Sequence, residues 1–167
     1  MNAIKDLGIR QRSVGAWALG VVLLVGAFSL SALAELGGGL ESVKADQARL
    51  GATRQVRQSE GYTVHEMRTG TGIVVREYAA PAGTVFGVTW NGPFIPDLRQ
   101  LLGAEQFAKY QQALQDQTQP AGRIRRGPID VELPGLVVQM SGHQRAFHGR
   151  AFIPQSLPQG VQAEAIR

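Results

Sequence analysis

Four polar side chains on two neighbouring predicted strands are the candidates for catalysis. His65 and Glu66 lie in the first strand, and Glu77 and Tyr78 lie in the second, after a glycine-containing turn. A histidine or carboxylate with a shifted pKa in such a cluster could act as a general acid or base. Cross-strand charged pairs on a solvent-facing sheet are nevertheless routine, and each contributes only about 0.2–1 kcal/mol. The sequence therefore offers these four as weak candidates and assigns no catalytic residue.

The other motifs that could carry chemistry are incomplete. The three histidines, His65, His143 and His148, do not occur in an HxH or HExxH arrangement, and zinc needs three or four converging ligands. The segment 141–143 (Ser-Gly-His) lies in a predicted bend and not in the strand-to-helix elbow of a serine hydrolase. The segment 70–72 (Gly-Thr-Gly) lacks the third glycine and the helix of a dinucleotide site. We expect no metal and no cofactor.

Two short stretches could bind a partner. Arg123, Arg125 and Arg126 form the densest basic run of the chain, which suits anionic headgroups or acidic glycans, although such runs are more often solvated loops. Trp90 and Phe94 flank a turn and could stack on a sugar or peptide. Trp90 also shares a predicted strand face with apolar neighbours, which favours core packing.

The first 34 residues have the layout of a secretory signal. A basic start with Lys5, Arg10 and Arg12 precedes an apolar run, and 32–34 (Ala-Leu-Ala) offers a small-x-small cleavage site. We predict a signal peptide at 1–34 and an exported protein, periplasmic or secreted. The alternative is an uncleaved anchor, because the apolar run approaches the roughly 20 residues that span a bilayer. Contact with a membrane is expected only in that case.

Composition narrows the classes of partner. The whole chain has 17 Lys+Arg and 13 Asp+Glu, and removal of 1–34 leaves 14 and 12, so the net charge falls from +4 to +2. This charge is too small to indicate nucleic-acid binding. The chain has no cysteine, which excludes disulfides and thiol chemistry. The partner that we expect is an unidentified envelope protein or glycan.

Residue periodicity predicts an α+β fold. Ser42 is the expected N-cap of a helix that ends at Gly51. Asp97 is the expected cap of a helical turn at 98–102, and Gly103 is expected to interrupt it. Alternation of apolar residues indicates strands. The predicted elements are a helix at 43–50, strands at 62–67, 73–78 and 84–90, a helix at 104–116, and strands at 128–133, 135–141 and 145–153.

These elements would form an antiparallel sheet of five or six strands, in helix-strand-strand-strand-helix-strand-strand order, with helix packed on one face. We place a single α+β domain at 35–154 and a loosely ordered tail at 155–167. The glycines at 37–39 predict a flexible arm, and the polar segment 53–59 is interpreted as a connector.

Most of the chain, from Ala34 to about Pro154, resembles the bacterial DUF2844 family of small exported proteins, a domain of unknown function. The resemblance is carried by the segments 42–50 (SVKADQARL), 62–66 (YTVHE), 75–78 (VREY), 85–90 (VFGVTW) and 92–98 (GPFIPDL). It implies an exported protein and carries no activity.

The sequence thus favours a non-catalytic binding or envelope-associated module. The alternative is a small periplasmic hydrolase or isomerase that uses the polar cluster of histidine, glutamate and tyrosine. A third class, a membrane-tethered adaptor, requires the signal to stay uncleaved. If the protein is an enzyme, we expect His65, Glu66, Glu77 or Tyr78 to converge in a concave pocket. If it is a binding module, we expect an exposed apolar patch instead.

Overall fold

The structure is a computed structural model that describes residues 35–118 and 127–167. The predicted signal sequence at 1–34 and the basic run with Arg123, Arg125 and Arg126 lie outside the described residues. Within them the elements are α1 (Leu40–Leu50), β1 (Thr53–Ser59), β2 (Tyr62–Arg68), β3 (Val74–Ala79), β4 (Val85–Gly92), α2 (Leu98–Thr118), β5 (Ile129–Leu133), β6 (Leu136–His143) and β7 (Ala146–Phe152).

All seven strands join in one antiparallel sheet, in the order β1-β2-β3-β4-β7-β6-β5. Strands β1 to β4 form one meander and β5 to β7 form a second, and the pairing of β4 with β7 connects the two. The α+β class is confirmed. The predicted strand number and order are wrong, because the described chain has four strands between its two helices and three after them.

The additional strand is β1, which we had interpreted as a connector. It pairs with β2 along its whole length, from Thr53 opposite Arg68 to Ser59 opposite Tyr62. As an edge strand it is exposed almost throughout, and Val56 is its only large apolar side chain. A strand without a buried face lacks the apolar alternation by which strands are identified in a sequence.

Helix α1 begins three residues earlier than predicted and ends where expected. Gly39 occupies the N-cap position, so the prediction of Ser42 as the cap is wrong. Ser42 lies inside the first turn, where its hydroxyl donates to the Gly39 carbonyl at 2.6 Å. Gly51 has a left-handed conformation (φ 56°) and terminates the helix.

Helix α2 is longer than predicted and interrupted. The Asp97 carboxylate accepts hydrogen bonds from the backbone N–H groups of Arg99 and Gln100, at 2.9 and 3.2 Å, which confirms its capping role. Gly103 has φ 80° and ψ 161°, so the helical path breaks there. The expected interruption is therefore confirmed.

The sheet has two unlike faces. On the helix face, residues of both helices share one core with alternate strand residues, among them Val43, Leu101, Val75, Val88 and Trp90. The opposite side, which we call the tail face, carries a smaller apolar cluster of Tyr78, Phe86, Phe152 and Ile166. Because successive strand residues point to opposite faces, sequence neighbours on one strand are separated by the sheet.

Both ends of the described chain pack more closely than we expected. The backbone of Gly37 and Gly38 exchanges two hydrogen bonds of 2.8 Å with Val85, which contrasts with the predicted flexible arm. The tail that we predicted to be loosely ordered contains two short 3-10 turns, Pro154–Ser156 and Ala163–Ala165. Near its end Ile166 is fully buried, and the Arg167 carbonyl accepts a hydrogen bond from the Tyr78 hydroxyl at 2.5 Å.

Candidate functional site

The four catalytic candidates do not converge, because the sheet divides them into two pairs. His65 on β2 is the cross-strand partner of Glu77 on β3, and Glu77 is in turn the partner of Val88 on β4. Because Val88 belongs to the helix-face core, His65 and Glu77 lie on that face. Glu66 and Tyr78 occupy the tail face, Glu66 beside Arg76 and Tyr78 in the apolar cluster. The polar arrangement that an enzyme would have required from these four residues is therefore absent.

On the helix face a second carboxyl group joins Glu77. Asp46, from α1, is 1% exposed and shares a hydrogen bond with Glu77, which is 3% exposed. The Gln100 side chain of α2 donates to Asp46 Oδ1 at 2.5 Å. The carboxyl pair is thus enclosed between the sheet and both helices.

The pKa values of both carboxyl groups are raised. Burial, the hydrogen bond with Asp46 and the negative charge of Asp46 together raise the pKa of Glu77 well above its ordinary value. Burial also raises the pKa of Asp46, although its hydrogen bonds with Glu77 and Gln100 act in the opposite direction. We infer from these directions that Glu77 is the member that keeps its proton beside the Asp46 carboxylate.

His65 lies next to the pair and is held neutral. Burial and the nearby Arg54 charge lower the pKa of His65, and neither ring nitrogen has a hydrogen-bond partner among the described residues. One oxygen each of Asp46 and Glu77 is also unpartnered there. All three side chains are buried, and none of them lines the tail-face pocket.

Asp46 was not among the predicted site residues, although the sequence contains a signal for it. It follows Val43 by three residues and precedes Leu50 by four, so it lies on the same side of the helix as these two apolar residues. A carboxylate on such a side must be buried, and a buried carboxylate requires a partner.

On the tail face a single carboxylate is surrounded by arginines. Glu66, whose side chain is 4% exposed, contacts Arg57 and Arg76 at 2.8 Å and Arg68 at 2.6 Å. Burial alone would raise the pKa of Glu66, but the hydrogen bonds and charges of Arg76 and Arg68 outweigh it and lower that pKa. Glu66 is therefore an ionised carboxylate.

Glu66 and Arg76 belong to a row of polar residues that crosses the whole sheet. Register places the seven side by side, one from each strand: Gln55, Glu66, Arg76, Thr89, Arg150, Gln139 and Asp130. Gln139 links its two neighbours, since its Oε1 accepts from Arg150 Nε at 2.7 Å and its Nε2 donates to Asp130 Oδ1 at 3.2 Å. We call these seven residues the polar row.

A pocket of about 590 Å³ opens over the polar row. The side chains that give it its chemistry are Arg76, Thr89, Asn91, Gln139, Ser141, His148 and Arg150, with Asp130 and Arg167 also in the lining. The tail covers the apolar half of this face, with Ile166 bordering the pocket. Within the part of the chain that the structure describes, the polar half of the face remains open.

Ser141 and His148 face each other within the pocket. They are cross-strand partners on β6 and β7, and Ser141 Oγ lies 2.7 Å from His148 Nε2. Within the described residues no carboxylate contacts the other ring nitrogen of His148, so the third group that orients the base of a serine hydrolase is not found there. Ser141 and His148 therefore contribute a hydroxyl and an imidazole to the lining of the pocket.

The predicted binding aromatics have different environments. Trp90 is 1% exposed and packs in the core, where its ring lies over Gly149 and leaves no room for a side chain at that position. Its six-membered ring is therefore not available for stacking on a ligand. Phe94, in the loop before α2, is 58% exposed.

The described residues contain neither a metal-binding group nor a membrane-spanning helix. They contain no group of three or more His, Asp or Glu side chains that could hold a metal ion. None of the helices within 35–118 and 127–167 is both long enough and apolar enough to cross a membrane.

Comparison with known proteins places the chain in a family. No curated protein and no solved structure matches the chain. A family model described as "Protein of unknown function (DUF2844)" matches residues 32–166. This match covers both helices, all seven strands and the whole pocket lining except Arg167, and it agrees with the resemblance seen in the sequence segments. The chain belongs to the DUF2844 family.

Proposed function

We propose that the protein is an exported, non-catalytic binding module that holds a small saccharide in the tail-face pocket. The observation that carries this proposal is the pocket itself, an open concavity over a continuous row of polar side chains. Export is inferred from the basic, apolar and small-residue pattern of the first 34 residues. An exported module of this kind would meet the glycans of the bacterial envelope.

The lining favours a saccharide among small ligands. Amide, hydroxyl and imidazole groups from Asn91, Gln139, Ser141 and His148 can both donate and accept hydrogen bonds, as sugar hydroxyls require. The volume lies within the range of about 300–1,000 Å³ that is typical of small-molecule sites. A ligand of one to three sugar units fits these conditions.

A protein partner is less well supported. A stable protein interface covers about 800 Å² on each partner, with apolar and aromatic side chains at its centre. The large apolar side chains that are exposed in the described chain are only Leu40, Val56, Phe94 and Ile95, from three separate segments. The pocket instead combines polar side chains with apolar ones from Ile129, Met140 and Ile166.

The hydrolase or isomerase alternative is the weaker proposal for the same reason that the candidate cluster fails. Its acid and base would have to come from His65 and Glu77 on one face and from Glu66 and Tyr78 on the other. The sheet itself lies between the two pairs, so one substrate cannot contact both.

The proposal is tested by blocking the pocket. In Ser141→Tyr a large side chain would occupy the edge of the pocket, and in the control Ser59→Tyr the same change would fall on the exposed β1 edge strand of the same face. Binding of mono-, di- and trisaccharides, spanning neutral, amino and acidic sugars, would be measured by isothermal titration calorimetry.

We expect the unmodified protein and Ser59→Tyr to bind at least one of these saccharides, and Ser141→Tyr to bind at least about tenfold more weakly. Thermal unfolding of both variants checks that each is folded. No binding by the unmodified protein across all three sugar classes, or equal binding by folded Ser141→Tyr, would refute the proposed function.

A further inference from the structure

A buried hydroxyl without a partner lies at the centre of the polar row. Thr89 is only 5% exposed and lines the pocket, yet its Oγ1 makes no hydrogen bond with any described residue. A buried polar atom that is left unpaired costs about 1–3 kcal/mol, so such atoms in native proteins usually have a partner. Thr89 borders the pocket, so a ligand that displaces the groups now covering its hydroxyl can supply that partner.

Two arginines flank this hydroxyl in the polar row. Register places Arg76 on one side of Thr89 and Arg150 on the other. Adjacent strands are about 4.8 Å apart, so the two arginine backbones are separated by about 10 Å. Both guanidinium groups hydrogen-bond outward along the row, Arg76 to Glu66 and Arg150 to Gln139, so they flank Thr89 from its two sides.

Each arginine is held in place by only part of its guanidinium group. Arg76 donates through Nε to Glu66, and no hydrogen bond to a described residue engages its two terminal nitrogens. Arg150 donates through Nε to Gln139 and through one terminal nitrogen to the carbonyls of Ala163 and Ile166. Anchored in this way, both side chains are oriented before a ligand arrives, and donors remain for it.

The local charge is positive despite the nearby carboxylates. The side chains of the pocket lining include three arginines and one aspartate, so positive side chains outnumber negative ones. Glu66, the carboxylate that contacts Arg76, also contacts Arg57 and Arg68, so its negative charge is more than balanced. Asp130 is the remaining acid, and its Oδ1 accepts from Gln139.

We infer that the pocket selects a saccharide that carries an oxyanion, and that this group binds over Thr89 between Arg76 and Arg150. The inference rests on the proposed function and names its ligand class. A carboxylate or phosphate oxygen accepts from the Thr89 hydroxyl and from both guanidinium groups, while the sugar hydroxyls meet Asn91 and the amide of Gln139. The shared chemistry is a planar or tetrahedral oxyanion on a polyhydroxylated ring.

The test compares ligands that differ only in charge. Trigalacturonate and its methyl ester have the same sugars, with and without carboxylates, and glucose 6-phosphate and glucose form the matching pair for phosphate. Titration calorimetry on the full chain, at low and at high salt, gives the affinity of each. A second series uses Arg76→Gln, with Arg99→Gln on the opposite, helix-bearing side of the molecule as the control for loss of one positive charge.

We expect at least one charged member to bind about tenfold or more tightly than its neutral partner, and this preference to decrease at high salt. Which pair shows the preference identifies the carboxylate or the phosphate as the source. Arg76→Gln should lose about tenfold for the charged ligand and change little for the neutral one, and Arg99→Gln should behave as the unmodified protein.

Equal affinity for charged and neutral members would overturn this inference and leave the proposed function intact, provided that Ser141→Tyr still blocks binding. Failure of every saccharide to bind would instead refute the proposed function. Since the charge comparison is made on the unmodified protein, it stays decisive even if Arg76→Gln does not fold.

Discussion

Replacing Glu77 with glutamine is expected to stabilise the protein at pH 8 and to remove part of its pH dependence. The carboxylic acid of Glu77 donates to Asp46 from a fully enclosed position, and a glutamine amide can donate to the same oxygen at every pH. The substitution keeps the shape of the side chain. It removes only the ability to lose a proton.

The sign of the effect follows from the direction of the pKa shift. The pKa of Glu77 is raised on folding, so between its ordinary value of 4.5 and its folded value the native state holds a proton that the unfolded state has released. The stability that this proton contributes is complete below pH 4.5 and is lost as the pH rises. The slope for one proton is about 1.4 kcal/mol per pH unit.

Urea unfolding of Glu77→Gln and of the unmodified protein, at several pH values from 4.5 to 8, measures this difference. The free energy of unfolding of the variant should exceed that of the unmodified protein by an amount that grows with pH. Glu132→Gln, on the exposed surface of β5, is the control and should show no such growth. A pH-independent difference for Glu77→Gln would contradict the inference that Glu77 keeps its proton.

Replacing Glu66 with glutamine is expected to destabilise the protein by about 3 kcal/mol at neutral pH, because it removes the counter-charge of three arginines. Arg76 is the one most affected, since its side chain is only 25% exposed. The neutral amide can accept from one of the three guanidinium groups but cannot balance their charge. The remaining positive charges then repel one another.

The pH dependence of this second effect has the opposite sign. The pKa of Glu66 is lowered on folding, so its contribution is present above the ordinary value of 4.5 and is lost as the pH falls through the folded value. The penalty of Glu66→Gln should therefore shrink in acid. Glu105→Gln is the matched control, because Glu105 also pairs with a basic residue, Lys109, but on the open surface of α2.

Thermal and urea unfolding of the two variants separate these cases. Glu105→Gln should leave the unfolding free energy unchanged within error. If Glu66→Gln were equally harmless at neutral pH, or if its penalty grew in acid, Glu66 would not be the ionised centre of the arginine cluster.

Local patterns were enough to predict much of the fold. The alternation in 62–67 predicts that the side chains of His65 and Glu66 point to opposite faces of the sheet. The structure has them on opposite faces. Residue type also predicted three features of the helices. Gly51 ends α1, Asp97 caps α2 and Gly103 interrupts α2. These features depend on a few consecutive residues, which is the range over which sequence patterns are informative.

The pocket could not be predicted in the same way. It exists because β4 pairs with β7, which places Arg150 beside Thr89 although about sixty residues separate them in sequence. The edge strand β1 was missed because it buries no face. The polar row is likewise a property of sheet order, since no single strand contributes more than one of its residues.

The two carboxylates Glu66 and Glu77 illustrate why residue type alone did not identify the site. Both lie on adjacent strands among polar neighbours in sequence, yet one is an ionised centre for arginines and the other a protonated partner of Asp46. The difference comes from the groups that each face of the sheet places beside the carboxylate. Helix α1 brings a second acid to Glu77, whereas the tail face brings arginines to Glu66.

The central claim is that ligand binding belongs to the tail face and that the carboxyl pair beneath the helices serves structure. Chemical-shift mapping of ¹⁵N-labelled protein titrated with trigalacturonate tests it most directly. We predict that the amide signals of Thr89, Asn91, Ser141 and Arg150 shift with ligand, while those of Asp46, His65 and Glu77 change little. Shifts centred on Asp46 and Glu77, with the pocket residues unaffected, would contradict the account.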